Sequence, residues 1–234
     1  MTQQQRITGL STEELEAFFL LLPRIYSDYR DPRRGTFELA YIYANTPDNE
    51  ASIFIKAAEL ANAGGTKALG TSEGALGLGY EGFDHSIQCL RAFGLKDGFP
   101  VVKFLVDVNE KGVRNVNTGS EAQKLAEYAK SLAGGGRNGG DIAVIAPPFH
   151  IVRAFMTTVT ALKREGDIPV RVYAVPGVPL SWSQQIEYGQ KLEKKPRYKS
   201  LDDDLQRLEK YRAPEFGGML SARQVLNYLD WRDS

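Results

Sequence analysis

Five short apolar runs alternate with four helical segments between residues 37 and 177, and this alternation constrains the fold more than any other feature of the chain. The runs are FELAYIYAN (37–45), TKALGTS (66–72), PVVKFLVDV (100–108), DIAVIAP (141–147) and VRVYAVPG (170–177). The segments between them, 50–63, 85–93, 120–132 and 151–164, are predicted helices, each closed by a nearby glycine. Strands buried on both faces read as continuous apolar runs, and single helices between them make right-handed crossovers. The sequence therefore predicts an α/β, Rossmann-like three-layer αβα fold with a mostly parallel sheet of about five strands.

Both ends of the chain predict helices outside this alternation. The segment STEELEAFFLLL (11–22) has an N-cap serine, an acidic first turn and apolar residues at helical spacing. After residue 178 the sequence becomes polar and aromatic, with a charged helix over LDDDLQRLEKY (201–211) and a short helix after Ser221. We expect an N-terminal helical extension (1–35), a Rossmann-like domain (36–178) and a C-terminal helical tail (179–234) packed on the same body, because a tail of about 55 residues would be marginal alone. The terminal helices are also where a contact between subunits is expected.

The composition gives no indication of binding to nucleic acid or to a membrane surface. Lys and Arg number 29 and Asp and Glu also number 29, so no overall charge attracts nucleic acid or an anionic membrane surface. The single cysteine excludes an intrachain disulfide, and two histidines far apart in sequence give no recognisable metal-ligand spacing, so no metal site is predicted. The N-terminus lacks a signal-peptide pattern and FFLLL is too short to span a bilayer. The expectation is a cytoplasmic protein.

Polar residues follow each apolar run. In a parallel sheet the carboxyl ends of the strands share one edge, where ligands of open α/β sheets bind. The candidate ligand-binding residues at this edge are Asn45, Ser72, Glu73, Gly74, Thr118, Glu121 and Arg153, and the candidate catalytic residue is His150. The loop after the second run is also rich in glycine, so its amides could approach a phosphate or carboxylate. A glycine-rich surface turn explains that loop equally well.

The segment NTGSE (117–121) opens a predicted helix. Thr118 or Ser120 is expected to cap it, and Glu121 to favour the positive end of its dipole. Glu73, Glu121 and Asp107 are further carboxylates at the same edge. A divalent ion would require two or three of them to converge.

His150 lies where the fourth apolar run ends and a helix begins, and Arg153 follows about one turn later. A neutral imidazole can accept or donate a proton, and a guanidinium can bind a carboxylate or phosphate through paired donors. The alternative is a buried histidine that only packs.

Four segments occur in an order that resembles the YdcF/SanA/ElyC-like family of bacterial Rossmann-like proteins. They are AAELANAGG (57–65), TKALGTSEG (66–74), TGSEA (118–122) and FHIVRA (149–154). The last three stand where the family carries a serine-glycine-glycine loop, T-x-E-N-A and Y-H-x-x-R-A. This chain departs from those motifs with Glu73 at a glycine, Ser120 and Glu121 at the Glu-Asn pair, and Phe149 at the tyrosine.

The resemblance implies a cleft lined by the Ser-Gly loop, the threonine-led helix start and the His-x-x-Arg pair. One member looks like a binder of S-adenosylmethionine, which makes that molecule the cofactor candidate. Others are associated with envelope and peptidoglycan precursor metabolism and carry membrane anchors; this chain is expected to lack one and to be closer to the YdcF branch.

Two functions follow and stay open. The first is an enzyme acting on a nucleotide-like, S-adenosylmethionine-like or phosphorylated ligand, with Arg153 holding the anion and His150 as general acid or base. The second is a non-catalytic protein, linked to envelope metabolism, that senses a metabolite or binds a partner.

Overall fold

The computed structural model describes residues 11–28, 35–73, 81–107, 116–134, 140–166, 168–188, 193–214 and 218–234. The helices in these ranges are α1 (Thr12–Ser27), α2 (Pro47–Asn62), α3 (Phe83–Ala92), α4 (Thr118–Gly134), α5 (Ile151–Arg164), α6 (Lys199–Arg212) and α7 (Ala222–Asp233). The strands are β1 (Leu39–Ile42), β2 (Leu69–Ser72), β3 (Val101–Phe104), β4 (Ile142–Ala146), β5 (Val172–Pro176), β6 (Gln185–Tyr188) and β7 (Glu193–Pro196). Among these helices, none combines the length and the apolar character needed to cross a membrane.

The first five strands form one parallel sheet in the order β3-β2-β1-β4-β5. In its register Ala40 of β1 lies opposite Leu69 of β2 on one side and Ala143 of β4 on the other. The prediction of a Rossmann-like αβα fold is therefore confirmed. The order reverses between β1 and β4, which makes the crevice beyond their carboxyl ends the switch point where ligands of such sheets bind.

Two apolar cores cover the two faces of the sheet. In β1, Leu39 and Tyr41 face the core formed with α1, α4, α5 and α7, whereas Ala40 and Ile42 face the core formed with α2 and α3. All four side chains are buried because β1 lies in the middle of the sheet and has helices on both sides. This burial explains why the first apolar run shows no alternation of polar and apolar residues.

The terminal helices cover the outer edge of β5. Tyr228 of α7 accepts a hydrogen bond from the Val172 amide at 2.8 Å, and Asp28 at the end of α1 accepts one from the Ala174 amide at 2.7 Å. Arg232 of α7 pairs with Asp28 at 2.7 Å, and both side chains are buried. These side chains satisfy edge amides that would otherwise be open to pairing with another strand.

The hairpin β6–β7 was not predicted, because its strands QIEY and EKKP are short and polar. Arg197, just after β7, is buried and anchors it to the start of α2. Its Nε donates to Asn49 at 2.9 Å and its Nη2 to the Asp48 carbonyl at 2.8 Å. The Glu187 amide donates to the Asp48 carboxylate at 2.7 Å. The hairpin is therefore held near the carboxyl-end edge of the sheet and leads directly into α6.

Candidate functional site

The cap of α4 differs from the sequence prediction. Asn117, rather than Thr118 or Ser120, is the N-cap, since its Oδ1 accepts hydrogen bonds from the amides of Gly119 at 2.9 Å and Ser120 at 3.0 Å. The physical reason is that an asparagine directly before the first helical residue reaches the second and third amides of the helix. The hydroxyl of Thr118 is consequently not needed as a cap and contacts α5 instead.

His150 lies between β4 and α5 and is only 3% exposed. Its Nδ1 is 2.7 Å from Oδ2 of Asp204, a residue of α6, and its Nε2 is 3.4 Å from Oγ1 of Thr118. An ionised carboxylate only accepts hydrogen bonds, so the ring proton of a neutral His150 belongs on Nδ1. The Nε2 lone pair then faces the Thr118 hydroxyl.

Arg153 contacts the same two partners from one turn further along α5. Its Nη2 donates to Oδ1 of Asp204 at 3.1 Å and its Nη1 donates to Oγ1 of Thr118 at 2.9 Å. Asp204 therefore contacts His150 through one carboxylate oxygen and Arg153 through the other. We call Thr118, His150, Arg153 and Asp204 the His150 network. Thr118, half-buried, is its most exposed member.

The charges of the network fix the protonation of His150. Burial alone would raise the pKa of Asp204, but Arg153 and His150 outweigh it and hold that pKa well below the usual range. Burial lowers the pKa of His150, and the positive charge of Arg153 lowers it further against the opposing effect of Asp204. At neutral pH the imidazole is therefore neutral and can accept a proton.

Glu121 of α4 lies next to this network and is fully buried. Its Oε1 accepts hydrogen bonds from Tyr41 at 3.1 Å and from the Ala44 amide at 3.0 Å. Burial raises its pKa to about 7, although these bonds, the Ser72 hydroxyl and the charge of Arg153 act in the opposite direction. A buried carboxyl group with a raised pKa is a common feature of functional sites in proteins.

Two of the other predicted site residues, Asn45 and Ser72, line a pocket at the carboxyl ends of β1 and β2. Glu73 forms an ion pair with a lysine of β3, and Asp107 pairs with a lysine of α4 at 3.0 Å. With Glu121 bound to Tyr41, the three carboxylates of the edge do not converge in the described structure. Gly74 lies outside the described residues.

Asp204 was not predicted as a site residue. The charged helix predicted over 201–211 places Asp202 to Asp204 in its first turn, where acidic side chains favour the helix dipole, but α6 begins at Lys199 and Asp204 lies in its second turn. Asp204 is 2% exposed. A carboxylate on the inward face of a charged helix is the signal that could have identified it, because a buried charge needs a partner.

Comparison of the chain with protein-family models, with curated proteins and with solved structures found no match. The similarity to the YdcF/SanA/ElyC-like family therefore stays a resemblance of four short motifs.

Proposed function

We propose that the chain is an enzyme that acts on a small molecule at the switch point of its sheet, with His150 as general base. The observation that carries this proposal is the line of contacts from Asp204 through His150 to Thr118. An acid that orients a histidine, whose other nitrogen faces a hydroxyl, is an arrangement that activates the hydroxyl. The contact of 3.4 Å is long, and such contacts shorten when substrate binds.

Each member of the network has a defined part in proton transfer. His150 takes the proton of the Thr118 hydroxyl on Nε2, and Asp204 stabilises the imidazolium that forms. Arg153 donates to the same hydroxyl oxygen and so stabilises the negative charge that develops there. The deprotonated Thr118 oxygen then attacks the substrate and displaces a leaving group, which takes the proton from the imidazolium. Alternatively it removes the proton of a bound water or alcohol, which makes the same attack.

The ligand class of the proposal comes from the resemblance and from the position of the site. A nucleotide-like, S-adenosylmethionine-like or phosphorylated molecule would place its anionic part near the first turn of α4, where the helix dipole is positive. Arg153 was expected to hold that anion, but in this structure it binds Asp204 and Thr118, so we assign it the role of positioning the hydroxyl. The balanced charge of the chain favours a small molecule over nucleic acid, and we expect it to act in the cytoplasm.

A thermal-shift screen tests the location of the site. The probes are S-adenosylmethionine, ATP, a sugar nucleotide and a polyprenyl phosphate analogue. Wild type is compared with Thr118→Val and with the control Thr36→Val, which changes an exposed threonine before β1, at the opposite edge of the sheet. A ligand at a hundred times its dissociation constant stabilises by about 2.7 kcal/mol. We expect wild type and Thr36→Val to respond to one probe and Thr118→Val to respond less.

Turnover of the probe that binds separates catalysis from simple binding. His150→Gln should bind the probe and fail to convert it, whereas Thr36→Val should convert it at the wild-type rate. An equal thermal shift in Thr118→Val and wild type would show that the ligand binds elsewhere. Conversion that continues in His150→Gln would show that His150 is not the base.

One observation favours the second function, a non-catalytic protein that senses a metabolite or binds a partner in envelope metabolism. The His150 network joins α6 to α4 and α5, and three of its four side chains are buried. Fastening the C-terminal tail to the body is a sufficient role for such a network, and that role needs no catalysis. A probe that binds at Thr118 and is never converted would support this function.

A further inference from the structure

A second cluster of reactive side chains lies on the other face of the sheet, between α2 and α3. Glu50 is in the first turn of α2, and His85 and Cys89 are four residues apart on α3. Residues at that spacing share one face of a helix. The only cysteine of the chain and one of its two histidines are thus brought against a largely buried carboxylate.

The ligand atoms of the three side chains converge. Nε2 of His85 is 2.8 Å from Oε2 of Glu50, and Sγ of Cys89 is 3.3 Å from the same Nε2. The three atoms all lie within 4.8 Å of one another. A carboxylate oxygen, an imidazole nitrogen and a thiol sulfur therefore surround one point.

The geometry does not fit a cysteine-histidine-acid catalytic triad. In a triad the nucleophile and the acid contact opposite nitrogens of the imidazole ring. Here the carboxylate and the thiol both face Nε2. A single nitrogen cannot donate its proton to Glu50 and accept one from Cys89 at the same time. Three groups directed at one point are what a bound cation requires.

We propose that Glu50, His85 and Cys89 bind a divalent transition-metal ion, and that the ion is Zn²⁺. Nitrogen, sulfur and carboxylate oxygen are the ligands that zinc prefers. At the usual bond lengths, tetrahedral coordination separates the ligand atoms by roughly 3.4 to 3.6 Å. The contacts of 2.8 and 3.3 Å would open by about 0.6 and 0.3 Å around the ion, which side-chain rotation allows.

The surroundings of the cluster favour a cation with one open coordination position. Glu50 lines the pocket at the carboxyl ends of β1 and β2, together with Asn45, Ser86 and the carboxylate-bearing Glu81. The side chains of His85 and Glu50 are 33% and 11% exposed, so an ion can enter. Glu50 borders that pocket, and three protein ligands with an open fourth position are typical of catalytic rather than structural zinc. Glu81 adds negative charge near the ion.

The zinc site does not depend on the proposed role of His150. The two sites are neighbours across the sheet, because Tyr43 lines the pocket and its ring lies edge-on to the His150 ring, with centroids 6.3 Å apart.

Cobalt and zinc titrations of the full chain, stripped with EDTA, test the site. Co²⁺ takes zinc positions, and a thiolate ligand adds a sulfur-to-cobalt charge-transfer band in the near ultraviolet. We expect wild type to bind one equivalent with that band and Zn²⁺ to displace it. In Cys89→Ser the band should be absent. The zinc affinity of this variant should fall by at least about a hundredfold, because loss of a residue that only hydrogen-bonds to a metal ligand already lowers the metal affinity by about 10–100-fold. The control Asp84→Asn, an exposed carboxylate on the same helix, should behave as wild type.

Alkylation of the thiol gives a second measurement that needs no cysteine variant. Zn²⁺ should slow the reaction of Cys89 with iodoacetamide in wild type and in Asp84→Asn, and should leave the rate unchanged in His85→Asn. Circular dichroism establishes that each variant is folded. Cobalt binding without the charge-transfer band, zinc protection that survives in His85→Asn, or no metal binding by folded wild type would each overturn the proposal.

Discussion

Replacing Glu121 by glutamine should make the stability of the protein less dependent on pH. The carboxylate is 2% exposed and accepts hydrogen bonds from Tyr41 and the Ala44 amide through one oxygen. Glutamine has the same shape, and its Oε1 can accept both bonds. The substitution therefore removes the ionisable group from the crevice and keeps its neutral contacts.

The size of the effect follows from the pKa. Burial raises the pKa of Glu121 from an ordinary 4.5 to about 7. A difference of one unit between the pKa values of the folded and unfolded states corresponds to about 1.4 kcal/mol. Ionising the buried carboxyl therefore costs about 3 kcal/mol more in the folded state than in the unfolded state. The folded state holds the proton more tightly than the unfolded state, so stability is lost as the pH rises from about 4.5 through 7.

Urea unfolding of wild type and Glu121→Gln between pH 5 and 8 measures this cost. His150 acts in the opposite direction, because its lowered pKa makes stability rise as the pH approaches its unfolded pKa of about 6.5 from below. His150 is present in both proteins, so its contribution cancels when their free energies of unfolding are subtracted. Between pH 5 and 8 the free energy of unfolding of the variant should increase by about 2 to 3 kcal/mol relative to that of wild type. The control Glu127→Gln alters a half-exposed carboxylate on the same helix and should show a constant difference. A constant difference for Glu121→Gln as well would show that burial does not raise the pKa of Glu121.

Three further substitutions test the packing that supports the site. Asp204→Ala removes the acceptor of two buried donors and should lower the free energy of unfolding in urea by about 3 to 5 kcal/mol, while a loss below 1 kcal/mol would mean that α6 is loosely attached. Asp28→Ala removes one of the two carboxylates that pair with Arg232, while Asp233 remains, so it should cost less, about 2 to 3 kcal/mol by the same assay; a change within error would show that the edge of β5 is held by other contacts. Gly177→Ala places a Cβ 2.7 Å from the carbonyl oxygen of Ser52, so thermal unfolding should reveal a loss of roughly 1 to 3 kcal/mol, and an unchanged melting temperature would contradict that close approach.

The parts of the fold that could be predicted from sequence are those in which burial dominates. Strands β1, β4 and β5 are short and apolar, and each crossover helix ends near a glycine, so the sequence pattern separates strands from helices. The hairpin β6–β7 has no such signal, because its strands are polar and it is held by Arg197 to distant carbonyl and side-chain oxygens of α2. The strand order likewise depends on contacts between segments far apart in sequence.

The candidate site was predictable only where its residues follow strands. Thr118, His150 and Arg153 lie at one edge because a parallel sheet brings its carboxyl ends together, and the structure brings these three into contact. Asp204 comes from a tail helix whose docking no local pattern specifies.

The cluster that we propose as a zinc site was not predicted for a related reason. His85 and Cys89 stand at helical spacing that could have been recognised, but the carboxylate that completes the group is contributed by another helix. Local sequence therefore predicts the positions of strand ends and helix faces, and tertiary packing determines which of them meet.

The protonation state of His150 at neutral pH determines whether it can act as the general base. Long-range proton–nitrogen correlation NMR on ¹⁵N-labelled protein reports which ring nitrogen carries the proton, and with only two histidines in the chain a His150→Gln sample assigns the signals. We expect a neutral ring at pH 7 with the proton on Nδ1, an unprotonated Nε2, and a pKa below the usual 6.5. A proton on Nε2, or an imidazolium at pH 7, would contradict it, because neither form can accept a proton from Thr118.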